Sequence, residues 1–75
     1  MIKIQKTVVD AGGEIVACRK LPLSFDDERH AIAFMGHYLS VAYSGGKSGY
    51  DRGGGYWWGT NLTSSSELHR YTLNG

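Results

Sequence analysis

The chain has 75 residues, 41% of them hydrophobic, and a formal net charge of +1. That length leaves room for one domain with one thin core, burying only ~60–65% of the unfolded surface, and near-neutrality sets up no global field to draw in nucleic acid or an anionic membrane. Cys18 is the single cysteine and no Cys/His spacing suits zinc, so tight packing or self-association must do the work of a disulfide or metal staple.

Residues 1–6, Met-Ile-Lys-Ile-Gln-Lys, interleave charge with apolar residues, unlike a secretory leader or a membrane span. With one unpaired cysteine, the expected compartment is cytoplasmic. Asn61-Leu62-Thr63 fits the N-glycosylation pattern, which carries no weight without an export signal.

Residues 2–9, IKIQKTVV, alternate partly at period two and are rich in β-branched side chains, which predicts a strand. Asp10 to Gly13, DAGG, supplies turn chemistry, and Glu14 to Leu21, EIVACRKL, predicts a second strand completing a hairpin. A three-residue loop would place Ile2, Ile4, Val8, Val16 and Cys18 on one face, with Lys6 interrupting. A two- or four-residue loop would bring the like charges of Lys6 and Arg19 together on one face, so the three-residue loop is preferred.

Pro22 has no N–H to give a ladder and is expected to end this strand. Ser24 then serves as a helix N-cap with Asp27 three residues on. Asp26, Asp27 and Glu28 fill the first turn, where carboxylates favour the helix dipole. From there to about Ala42, one stripe gathers Ala31, Ile32, Met35, Tyr38, Leu39 and Ala42, flanked by Phe34 and Val41. Gly45-Gly46 stops the helix, and a flexible loop is expected to about Gly54. Gly55 to Asn61, GYWWGTN, predicts a strand, Leu62 to Ser66 a loop, and Glu67 to Leu73, ELHRYTL, the last strand. Residues 1–75 are thus expected to form a single small α+β domain, two-layer β-β-α-β-β, with an antiparallel four-stranded sheet and one helix packed on one face. In size and element order this resembles many short bacterial domains; the likeness does not extend to motif.

Gly46-Lys47-Ser48 matches the end of a phosphate-binding loop, but the first glycine of that motif would fall at Val41 and a helix precedes the motif instead of following it. A helix-to-strand connection explains the stretch better. The Arg-Gly-Gly-Gly of residues 52–55 is one copy with one arginine, weak grounds for an RNA contact. His30 and His37 are seven positions apart, about 10 Å along a helix, too far to share a metal. His69 falls on the inner face of the sheet as a core or boundary residue. Cys18 in a strand reads as a small buried hydrophobe. No nucleophile elbow or paired-carboxylate motif stands out, so no enzyme activity and no cofactor or metal is expected.

Pairing the last two strands places Trp57 opposite Tyr71, with His69 and Leu73 on the same side. Tyr56, Trp58, Leu68, Arg70 and Thr72 then line the other side, with Trp58 and Arg70 suited to a cation–π contact. One helix covers only one face of the sheet, so Tyr56 and Trp58, with Val9, Thr7 or Ile15, are expected to meet solvent and mark an interaction site. The binding residues expected are Tyr56, Trp58, Arg70, Tyr50 and Arg52. The leading expectation is a non-enzymatic interaction module that forms a homodimer or binds another protein through this face. The alternative is a single-stranded nucleic-acid-binding domain, with phosphates on Lys3, Lys20, Arg52 and Arg70. In a closed variant, residues 45–55 would instead fold back over the face with Tyr50. No membrane partner is expected.

Overall fold

The computed structural model describes residues 1–60 and 67–74. Strands β1 (Ile2–Val9) and β2 (Ile15–Phe25) are followed by helix α1 (Glu28–Ala42) and strands β3 (Lys47–Asp51), β4 (Tyr56–Thr60) and β5 (Leu68–Asn74). The architecture is α+β, with one helix against an antiparallel sheet. Among the described residues the sheet has five strands, not four, in the order β2-β1-β5-β4-β3. The expected connection at Leu62 to Ser66 and the Asn61 sequon lie outside the described residues.

The extra strand comes from the glycine-rich stretch. Asp51 Oδ1 accepts hydrogen bonds from the N–H groups of Gly53 and Gly54, and Gly55 N–H donates to the Asp51 carbonyl while Gly55 takes φ +71°. These bonds close a tight turn that pairs Lys47–Asp51 with Tyr56–Thr60 in one unbroken register. Glycine supplies the positive φ that the turn needs.

The first hairpin has the expected three-residue loop, since Asp10 N–H donates to the Glu14 carbonyl and Val9 pairs with Ile15. One residue further, however, Val8 pairs with Ala17, so Val16 is an extra residue in β2. This single-residue bulge turns every later side chain to the opposite face. Cys18 therefore sits with Thr7, away from Ile4, and Lys6 and Arg19 do share a face, contrary to the sequence reading. Cys18 is also exposed, accepting from Gln5 Nε2 at 2.7 Å, instead of being a buried hydrophobe.

Pro22 does not end β2. A second irregularity sets Ile4 against residues 21–23, and the strand passes through it to Phe25. Proline is tolerated there because a bulge demands no ladder N–H. Ser24 consequently stays in the strand opposite Lys3, and the N-cap falls to Asp27, whose Oδ1 accepts from His30 N–H at 2.9 Å.

The buried cluster comprises Ile4, Met35, Leu39, Tyr43 and Tyr71. Ala31 is also buried, whereas Ile32 is 45% exposed and Val41 63%. The packed stripe is thus rotated toward Phe34 and Tyr38. The cause is a run of rings: Phe25 to Phe34 at 5.2 Å, Phe34 to Tyr38 at 5.4 Å, and Tyr38 edge-on to Tyr71 at 5.6 Å. The end of β2 supplies Phe25, and the helix turns its aromatic flank to meet it.

Candidate functional site

Strand alternation and the pairing register define the two faces of the sheet. On the face under the helix, one row across the five strands reads Arg19, Lys6, Tyr71, Trp57, Tyr50. Trp57 lies opposite Tyr71 as expected, and Tyr50 packs on Trp57 with ring centroids 4.8 Å apart. Tyr50 therefore belongs to the covered face, remote from Tyr56 and Trp58, and the glycine-rich stretch forms an edge strand instead of folding back as a seal.

The same face holds a hydrogen-bonded group that the sequence reading missed in part. Tyr43, the C-cap of α1, places its hydroxyl 2.6 Å from the Tyr71 hydroxyl and 2.8 Å from His69 Nδ1. Nε2 of His69 lies 3.9 Å from Glu67. Burial, then the neighbouring Lys6 charge, holds the His69 pKa below its ordinary value. Burial raises that of Tyr43 and, with the Tyr43 hydrogen bond second, that of Tyr71. Raised tyrosine pKa values describe neutral hydroxyls satisfying one another, not activated nucleophiles. His69 is the boundary residue expected.

The other face is the candidate site. Two adjacent rows read Cys18, Thr7, Arg70, Trp58, Gly49 and Lys20, Gln5, Thr72, Tyr56, Asp51. Tyr56, Trp58 and Arg70 are thus brought together. Trp58 is opposite Arg70, yet the guanidinium lies over Tyr56, 4.9 Å from its centroid, so the cation–π partner is the diagonal ring. Arg70 makes no ion pair among the described residues, and its Nε is buried without a hydrogen-bond partner there. The Trp58 ring lies across the Gly49 backbone, where an added methyl would sit 3.2 Å from Cζ2. Trp58 and Tyr56 are both partly exposed.

Asp51 closes this cluster. The Tyr56 hydroxyl beside it, then the Gly54 and Gly53 N–H groups, hold its carboxyl below the usual range. Arg52 is exposed in the β3–β4 turn. Val9, expected in solvent on this face, is only 5% exposed, while Ile15 is 67% exposed.

The charge on this face departs from that of the whole chain. Lys3, Lys20, Lys47 and Arg70 share its strands with one carboxylate, Asp51. The remaining acids lie in the first hairpin turn, at the helix start and beside His69. Between Lys20 and the rings, the surface is polar: Gln5, Thr7, Thr72 and Asn74, with Asn74 Nδ2 donating to Gln5 Oε1 at 2.8 Å.

A depression of about 310 Å³, lined by Lys6, Val8, Ala17, Cys18 and Arg19, indents the β1–β2 hairpin. Among the described residues, no three His, Cys, Asp or Glu side chains gather to hold a metal, and no helix is long and apolar enough to cross a membrane. Compared with known proteins, the chain matches no family model, no curated protein and no solved structure.

Proposed function

We propose that this chain is a non-enzymatic binding module whose open sheet face receives single-stranded nucleic acid. The observation that carries the reading is the coincidence of two supported rings, Tyr56 and Trp58, with four cations against one carboxylate on a single face. Bases stack on such rings whatever their sequence, contributing ~1–3 kcal/mol each. The flanking lysines and Arg70 supply phosphate contacts, and Gln5, Thr7 and Thr72 offer hydrogen bonds to base edges or sugar hydroxyls.

Face-to-face self-association, the leading expectation from sequence, has less support on this surface. It would set the excess positive charge of one copy against that of another, and the centre of the face is polar. A protein with an acidic surface is the second reading, favoured by the same charge excess.

Titration with a short oligothymidylate, followed by tryptophan fluorescence at two salt concentrations, tests the proposal. Quenching at low salt is expected, with log K falling against log salt at a slope near about −3 if all four cations meet phosphates, at roughly 0.7 per phosphate. Absence of quenching at low salt removes the nucleic-acid reading and leaves the acidic protein.

A further inference from the structure

The two edges of the sheet are built differently. The β2 edge is long, but it is interrupted at Val16 and again at residues 21–23 around Pro22. The regular stretch between these breaks carries Arg19 and Lys20. Bulges, proline and like charges are the devices by which edges resist pairing with another strand. The β3 edge has no bulge or proline, and its two charges, Lys47 and Asp51, are of opposite sign. Lys47–Asp51 runs without a register shift against β4. Yet along one side its N–H and C=O groups have no partner strand among the described residues.

We infer that β3 is a self-pairing edge, joining two copies of this chain antiparallel about a two-fold axis at Gly49. In that register all five residues pair: Lys47 opposite Asp51 of the second copy, Ser48 opposite Tyr50, and Gly49 opposite Gly49. The two ends of the strand are oppositely charged, so the axis creates two cation–carboxylate pairs on the open face. Closely placed opposite charges across strands stabilise a pair, and like charges oppose it. A shift by one residue would send Lys47 and Asp51 to opposite faces and lose both pairs.

The covered face supports the same register. Tyr50 is 49% exposed at the margin of the sheet although its ring packs on Trp57. Across the proposed axis the two Tyr50 side chains become diagonal neighbours, roughly 7–8 Å apart at the backbone and within reach of aromatic contact. Gly49 adds no side chain at the axis, so each Trp58 keeps its place over its own strand. The product is one continuous sheet with both helices on one side, and the open faces merge into one longer surface. This second copy sits at the edge and leaves Tyr56, Trp58 and Arg70 uncovered, but it engages Lys47, one of the four cations assigned to phosphate. The cross-link between positions 48 and 50 does not involve Lys47, so it tests the edge pairing separately from the nucleic-acid reading.

Sedimentation equilibrium of the full chain at high micromolar concentration tests the inference, beside the Lys47→Glu variant, which faces Asp51 of the second copy with a like charge. A dimer is expected, weakened roughly tenfold or more by Lys47→Glu, with unchanged circular dichroism. In a Cys18→Ser background, mixing Ser48→Cys chains with Tyr50→Cys chains should give a disulfide between the two variants and none within either alone. A monomeric parent chain, or a dimer with no such cross-link, overturns the proposal.

Discussion

The ring of Tyr43 lies directly on the backbone of Gly59, so closely that a methyl group added there would overlap it. This contact joins the end of the helix to the C-terminal part of β4, and the Tyr43 hydroxyl lies between Tyr71 and His69. Gly59→Ala is expected to destabilise the fold by ~1–3 kcal/mol, the usual cost of overpacking a core. Thermal unfolding followed by circular dichroism would show it; an unchanged midpoint would mean that the ring is free to swing away.

Tyr43→Phe keeps the packing and removes the shared hydroxyl. The Tyr71 hydroxyl then lies buried without that partner, at an expected cost of ~1–3 kcal/mol. Denaturant unfolding measures this directly, with Tyr38→Phe as a comparison at a half-buried neighbour.

The adjacent tryptophans should behave in opposite ways. Trp57 sits between Tyr71 and Tyr50 on the covered face, so Trp57→Ala should cost about 3 kcal/mol of stability. Trp58→Ala should leave most of the stability and abolish most of the oligothymidylate affinity. If Trp58→Ala unfolds the chain while Trp57→Ala is tolerated, the roles assigned to the two faces are reversed.

Acid should weaken the fold through His69. Its folded pKa is lowered, first by burial and then by Lys6, so between that value and about 6.5 the unfolded chain binds more protons than the folded one. Stability is therefore complete above about pH 6.5 and declines as the pH falls through that window. Protonation also obliges Nδ1 to donate to Tyr43, which leaves that hydrogen bond only one direction. Unfolding free energies measured from pH 7.5 downward should show the decline, and His69→Gln should flatten it. An equal slope in the variant would assign the effect to another group.

Arg70→Ala should reduce oligothymidylate affinity and lower the salt slope by about 0.7, one phosphate contact for a single strand. Fluorescence titrations across a salt series give both quantities. A weaker complex with an unchanged slope would mean that Arg70 acts by holding Tyr56, on which it is stacked.

The amino-acid sequence by itself determined the features that depend on neighbours along the chain. The alternation at residues 2–9, the apolar periodicity up to Ala42 and the opposition of Trp57 to Tyr71 are all present as expected. So is the grouping of Tyr56, Trp58 and Arg70. Asp51 before three glycines carried a turn signal as well, but the density of glycine masked the strand ahead of it. Only the tertiary structure decided that Lys47–Asp51 is a strand, because its pairing rests on Trp58 lying over Gly49. It likewise decided the bulge at Val16, which reversed the face of Cys18, and the rotation of the helix toward Phe25. Periodicity tells which residues of one element share a side. Which side meets the core is settled by the fit of that element against distant ones, and one inserted residue is enough to reverse it.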